Sequence, residues 1–140
     1  MTIREVLLPL FVEVILTFGL LFWMAYLRTT AVMSGAVATR DIALREPSWP
    51  ARATQIANAF HNQLELPVLF YVLTILAWET HHAGTIFVAL AWLFVILRLI
   101  QAFIHVTDNH VRRRGLAFIL GAIVLAIMWG SYMMDILIGT

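Results

Sequence analysis

The chain of 140 residues contains no cysteine. That excludes a disulfide framework and a cysteine nucleophile, so any thiol chemistry has to enter with a ligand. Lysine is absent as well, and all nine basic residues are arginines. Charge of either sign is scarce: 12% of the residues are charged, and the formal net charge is +1. A chain so near neutrality carries no electrostatic footprint for nucleic acid. Against these shortages, 62% of the residues are hydrophobic and the mean hydropathy is +0.91. Those values exclude an ordinary soluble domain and point to a membrane protein. No internal repeat, low-complexity tract or soluble domain interrupts the pattern.

Four apolar segments run along the chain. The first, Leu7 to Leu27, has 21 residues, about what a helix needs to cross ~30 Å of hydrocarbon. It carries an acid, Glu13. A cleaved signal peptide is the competing reading, with Ala36-Val37-Ala38 as a loose cleavage site, but the length and the internal acid favour a retained span. A second helix is expected from about Pro50 to Glu79, its start marked by Pro47 and Pro50. Its first half is polar and its second half, Leu64 to Trp78, is apolar. Pro67 falls inside it, where neighbouring helices or water take up the freed carbonyl. After Thr80-His81-His82-Ala83-Gly84 the third segment runs from Thr85 to Val106, and the fourth from Gly115 to about Ile138. The expected architecture is all-α: one integral membrane four-helix bundle over residues 1–140, with spans at about 7–27, 53–79, 85–106 and 115–138. Trp23, Trp78, Trp92 and Trp129 read as interfacial anchors.

Arginine placement sets the orientation. The loop 28–52 holds Arg28, Arg40, Arg45 and Arg52, the loop 107–114 holds Arg112, Arg113 and Arg114, and the loop between them has none. By the positive-inside rule both basic loops are cytoplasmic and both termini face the opposite compartment. The first loop is long enough for a short amphipathic helix on the membrane surface.

Depth then organises the polar residues within the spans. Counted from Arg52 at ~1.5 Å per residue, Asn58, Asn62 and Glu65 lie at ~9, ~15 and ~20 Å; counted back from Arg112, His105, Gln101 and Arg98 lie at ~10, ~16 and ~21 Å. Each set also has the spacing of one helix face. Glu65 and Arg98 are thus expected to pair near mid-membrane, in a polar cleft open to the cytoplasm, because an unpaired charge there costs a few kcal/mol or more. The bland alternative is that these side chains glue helices together by hydrogen bonds. Glu13 reads as structural. His61 and Glu65 are four apart with His105 at similar depth, which formally permits a metal or haem site; but His61 should point ~100° away from the Asn62 face, and no metal is expected. His81 and His82 lie on the far loop.

The motif Asn62-x-x-Glu65-x-Pro67 followed by Phe70, together with Arg98-x-x-Gln101-x-x-x-His105 and Arg114 where the third loop re-enters the membrane, resembles the MAPEG superfamily. These are the membrane-associated proteins in eicosanoid and glutathione metabolism, and they include microsomal glutathione transferases. HNQLELPVLFYVL and VALAWLFVILRLIQAFIHVTDN look especially like the small bacterial members, so a bacterial inner membrane is implied. The resemblance implies a homotrimer that holds glutathione between subunits as co-substrate. It implies that Asn62 and Glu65 hold the peptide, that Arg98 orients Glu65 and contacts the ligand, and that Asn58, Gln101 and His105 complete the site. Arg114 corresponds to the arginine that stabilises the thiolate. A hydrophobic small-molecule electrophile would arrive from the lipid along a groove between the first and fourth spans. Two positions depart from the family pattern: Asn58 replaces a usual arginine, and Gln101 a usual histidine or tyrosine. Arg52 is a candidate substitute for the missing cation. A non-catalytic protein that binds a lipid or other amphiphile in the same cleft is the alternative reading.

Overall fold

The computed structural model describes residues 1–44 and 48–139. The start signal at Pro47 and the basic residue Arg45 lie outside the described residues. Among the described residues five α-helices follow one another: α1 (Ile3–Met33), α2 (Ala51–Asn62), α3 (Leu66–Glu79), α4 (Thr85–Val106) and α5 (Val111–Ile138). Taken with α2 and α3 as one unit, they make four helical stretches long and apolar enough to cross a membrane. Their outward surfaces carry large apolar side chains such as Phe11, Ile15, Phe22, Ile86, Phe103 and Ile127, the coating that a hydrocarbon solvent requires.

Helix α1 starts at a capping box, in which the Thr2 hydroxyl accepts from the Glu5 N–H while the Glu5 carboxylate accepts from the Thr2 N–H. That reciprocal arrangement satisfies two groups otherwise left open at a helix start. With 31 residues α1 is ~46 Å long and runs past Leu27 into the first loop. Between α1 and Ala51 the only helical piece among the described residues is a single 3-10 turn, Thr39–Ile42, rather than an amphipathic helix.

The second span is not one continuous helix. It breaks at Gln63-Leu64-Glu65, and Pro67 sits in the first turn of α3. Proline has no N–H to donate and clashes with the preceding turn, so a helix tends to restart just before it. The break leaves carbonyls at the end of α2 that a continuous helix would have used. The Gln63 side chain turns back to the Ala59 carbonyl at 3.0 Å, and Arg98 donates to the Asn62 carbonyl at 2.8 Å.

Packing divides into two apolar layers with a polar one between them. At the end away from the arginine-rich loops, Phe70, Leu73, Ala91, Phe94, Val95, Val124, Leu125 and Met128 form one core. At the arginine-rich end, Leu20 packs with Ala59 and Ala102, and Met24 with Ile56 and Ala57. Between them Glu13, Gln63, Arg98 and Gln101 are buried. Helix α1 packs on α2, α3 and α4, while α5 packs on α4 and α3; α1 and α5 make no more than marginal contact.

The start of α2 clamps the end of α4. Gln55 donates to the carbonyls of His105 (2.8 Å) and Thr107 (3.1 Å), and Arg52 donates to that of Val106. These are carbonyls that a helix C-terminus cannot pair internally. The clamp sets the relative height of the two helices on which the polar side chains depend. Replacing Gln55 with Ala is expected to cost about 1–2 kcal/mol of stability, read as a shift in the denaturation midpoint of the detergent-solubilised protein.

Candidate functional site

Two turns govern the site. The break after α2 exposes Glu65 at its corner, and the turn after α4, Thr107 to His110, carries Asn109 with φ 52, a left-handed conformation that asparagine tolerates better than most residues. There the N–H of Asn109 donates to the Ile104 carbonyl at 2.8 Å, which closes the end of α4. The Asn109 side chain accepts a short hydrogen bond from Arg114 in the first turn of α5. The turn thereby points the Arg114 guanidinium back toward α2 and α4.

Between these corners lies a cleft of about 430 Å³, lined by Asn58, His61, Asn62, Glu65, Gln101, His105, Arg114, Gly115 and Phe118. Six of the seven residues singled out from the sequence line it: Asn58, Asn62, Glu65, Gln101, His105 and Arg114. The seventh, Arg98, stands behind the wall, 1% exposed. Asn62 and His105 are joined across the helices, Asn62 Nδ2 to His105 Nδ1 at 3.2 Å. Glu65 and Arg114 supply one charge of each sign.

The expected Glu65–Arg98 ion pair does not form. Arg98 instead donates to the Gln101 side chain (2.6 Å), the Asn62 carbonyl (2.8 Å) and the Gln63 side chain (3.3 Å). Counting back from Arg112 treated residues 107–110 as helix, whereas α4 ends at Val106. The true register is about one turn different, so Asn62 meets His105 rather than Gln101, and Arg98 meets the broken end of α2. Glu13 is fully buried on α1, and neither of its carboxylate oxygens has a hydrogen-bond partner among the described residues.

Arg52 does not substitute for the cation missing at position 58. Its guanidinium lies over the Trp23 ring at 4.9 Å and bonds the Val106 carbonyl, away from the cleft. The ~100° offset did not turn His61 out of the site; it lines the open cleft with Glu65 and His105. Among the described residues, no group of three or more His, Asp or Glu side chains could hold a metal ion. Gln63, Asn109, Gly115 and Phe118 were not singled out beforehand. Gln63 had a legible signal, a glutamine four residues before a proline at the edge of an apolar stretch; Asn109 acts only through the turn's geometry.

The family model for MAPEG matches residues 6–134. The chain belongs to the MAPEG family. Among curated proteins and among solved structures, no match was found. MAPEG membership covers glutathione transferases, peroxidases and non-catalytic proteins alike, so the cleft itself has to carry any assignment of activity. In this MAPEG chain the cleft offers amide groups that can pair with a peptide, a carboxylate for an amine, and a guanidinium for a carboxylate or thiolate.

Replacing Arg98 with Met is expected to lower the unfolding free energy by about 2–4 kcal/mol, because the Asn62 carbonyl and the Gln63 and Gln101 side chains would lose their buried donor. Glu65→Gln should change it by less than about 0.5 kcal/mol. Denaturant titrations in detergent check both values.

Proposed function

We propose that this protein is a membrane-bound glutathione-dependent transferase or peroxidase acting on hydrophobic electrophiles. The reading rests above all on one observation: Glu65 and Arg114, from opposite ends of the chain's polar set, line one cleft with four side chains able to bond a peptide. Glutathione carries an amine, two carboxylates and two amide links, which suit Glu65, Arg114 and the Asn58, Asn62, Gln101 and His105 set respectively.

Arg114 is the proposed catalytic residue. A guanidinium fixed by Asn109 favours the ionised thiol, which is the reactive nucleophile. In the transferase reaction the thiol gives up its proton to water in the open cleft, the thiolate sulfur forms a bond to the electrophilic carbon, and the leaving group departs with the bonding electron pair. Arg98 holds the Asn62 carbonyl and the Gln101 side chain in place from behind, and so acts as a positioning residue.

A homotrimer fits the exposed surface. Leu64, Val68, Val72 and Ile75 form an uncovered apolar stripe along the second span, beside the cleft, where a second copy would close the site. In the proposed setting, a bacterial inner membrane, the cleft opens to the cytoplasm and both termini lie on the other side. A groove between α1 and α5 for the electrophile is not built within one subunit, because those helices scarcely touch; in a trimer the two would come from neighbouring subunits. A second reading, a non-catalytic site for a lipid or other amphiphile, is favoured by one feature only, the neutral side chain at Asn58.

Calorimetry on the purified protein is expected to give saturable glutathione binding, weakened about tenfold or more by Glu65→Gln. Arg114→Ala is expected to abolish thiolate absorbance and lower turnover of a model electrophile by about 10²-fold. Absence of binding at millimolar glutathione overturns the proposal. A reporter fused to the C-terminus is expected to read as non-cytoplasmic, and a cytoplasmic signal reverses the orientation.

A further inference from the structure

An apolar groove of about 580 Å³ lies between α1 and α4, with Leu16, Gly19 and Trp23 on one wall and Leu99, Phe103 and Val106 on the other. It uses a different face of α4 from the polar cleft. Its floor is sealed where Leu20 and Ala102 pack on Ala59 of α2, so an occupant of the groove has no direct path to Arg114. The groove is open at Gly19, where a Cβ would meet nothing within 4 Å.

One end of the groove is capped by a cation. Arg52 stacks on Trp23 at 4.9 Å and is tied to the Val106 carbonyl and, at 3.2 Å, to the Gln55 side chain, so two of the groove's own residues hold the guanidinium at its mouth. The stretch from Leu16 to Trp23 extends ~10 Å along the axis, enough for the upper part of an acyl chain whose head group stays at the surface. A greasy trough ending at a fixed guanidinium complements an anionic amphiphile, and guanidinium geometry matches phosphate oxygens.

We infer that this groove is a binding site for an anionic phospholipid, with one acyl chain between α1 and α4 and the phosphate at Arg52. The site is independent of the glutathione reading. It gives Arg52 a role that neither the cleft nor topology alone requires.

The test uses the full chain in phosphatidylcholine vesicles containing increasing fractions of brominated phosphatidylglycerol or, separately, brominated phosphatidylcholine. Bromine quenches nearby tryptophan, and the Trp23 signal is the difference between the wild type and Trp23→Phe. The expected result is that the anionic lipid half-quenches Trp23 at an about fivefold lower mole fraction than the neutral one, the size of one favourable contact with a basic residue. Arg52→Gln should bring the two curves together. Gly19→Leu, which fills the trough and suits a helix, should weaken quenching by both. Identical curves in the wild type would mean ordinary boundary lipid and would overturn the site. Absence of quenching by either lipid would mean that another copy of the chain covers the groove, and would overturn it equally. Selectivity that survives Arg52→Gln removes the phosphate half of the assignment, and quenching undiminished by Gly19→Leu removes the acyl-chain half.

Discussion

The arrangement depends on one buried guanidinium. Arg98 sits where α2 stops and α3 begins, and it binds the Asn62 carbonyl that the break leaves open. In hydrocarbon an unpaired backbone carbonyl and an unpaired cation are each costly, so the two conditions stabilise each other. Helix α2's end supplies partial negative charge to the guanidinium. The Gln63 and Gln101 side chains complete the guanidinium's partners from both spans. Without this cluster, neither the break nor the polar layer between the two apolar cores would persist.

From that anchor the cleft follows. Because Arg98 takes the backbone of Asn62, the Asn62 side chain remains available to His105, and Glu65 is left at the corner facing outward rather than inward. A carboxylate consumed by an internal ion pair would offer little to a ligand. The clamp of Gln55 and Arg52 on the end of α4 holds the other end of the same helix pair, so the cleft wall is fixed above and below. Arg114 completes the site from α5, aimed by a turn whose geometry Asn109 accommodates.

Much of this was legible in the residues. Hydropathy marked four spans, and the spacing of Asn58, Asn62, Glu65, Gln101 and His105 placed them on facing surfaces. Family resemblance added Arg114, and the structure brings these six to one cleft. Several readings went astray for local reasons. Pro67 was allowed inside a helix, although its missing N–H favours a restart. The depth count carried a helical rise through the turn after Val106, which displaced the pairing by about a turn and gave Arg98 an acid where it takes a carbonyl and two amides. Arg52 was assigned by helix side alone, whereas the flexible length of arginine lets the aromatic face of Trp23 and a free carbonyl capture it.

The sequence by itself determined that the chain lives in a membrane, how many times it can cross, and which polar side chains share its arginine-rich half. Composition and periodicity control those properties, because each span must satisfy the hydrocarbon largely on its own. Only the tertiary structure decided which partner each buried charge takes. That choice depends on where helices end and which carbonyls are left open, and on distances between side chains far apart in the chain. Those quantities exist only once α1, α2 and α4 are packed together.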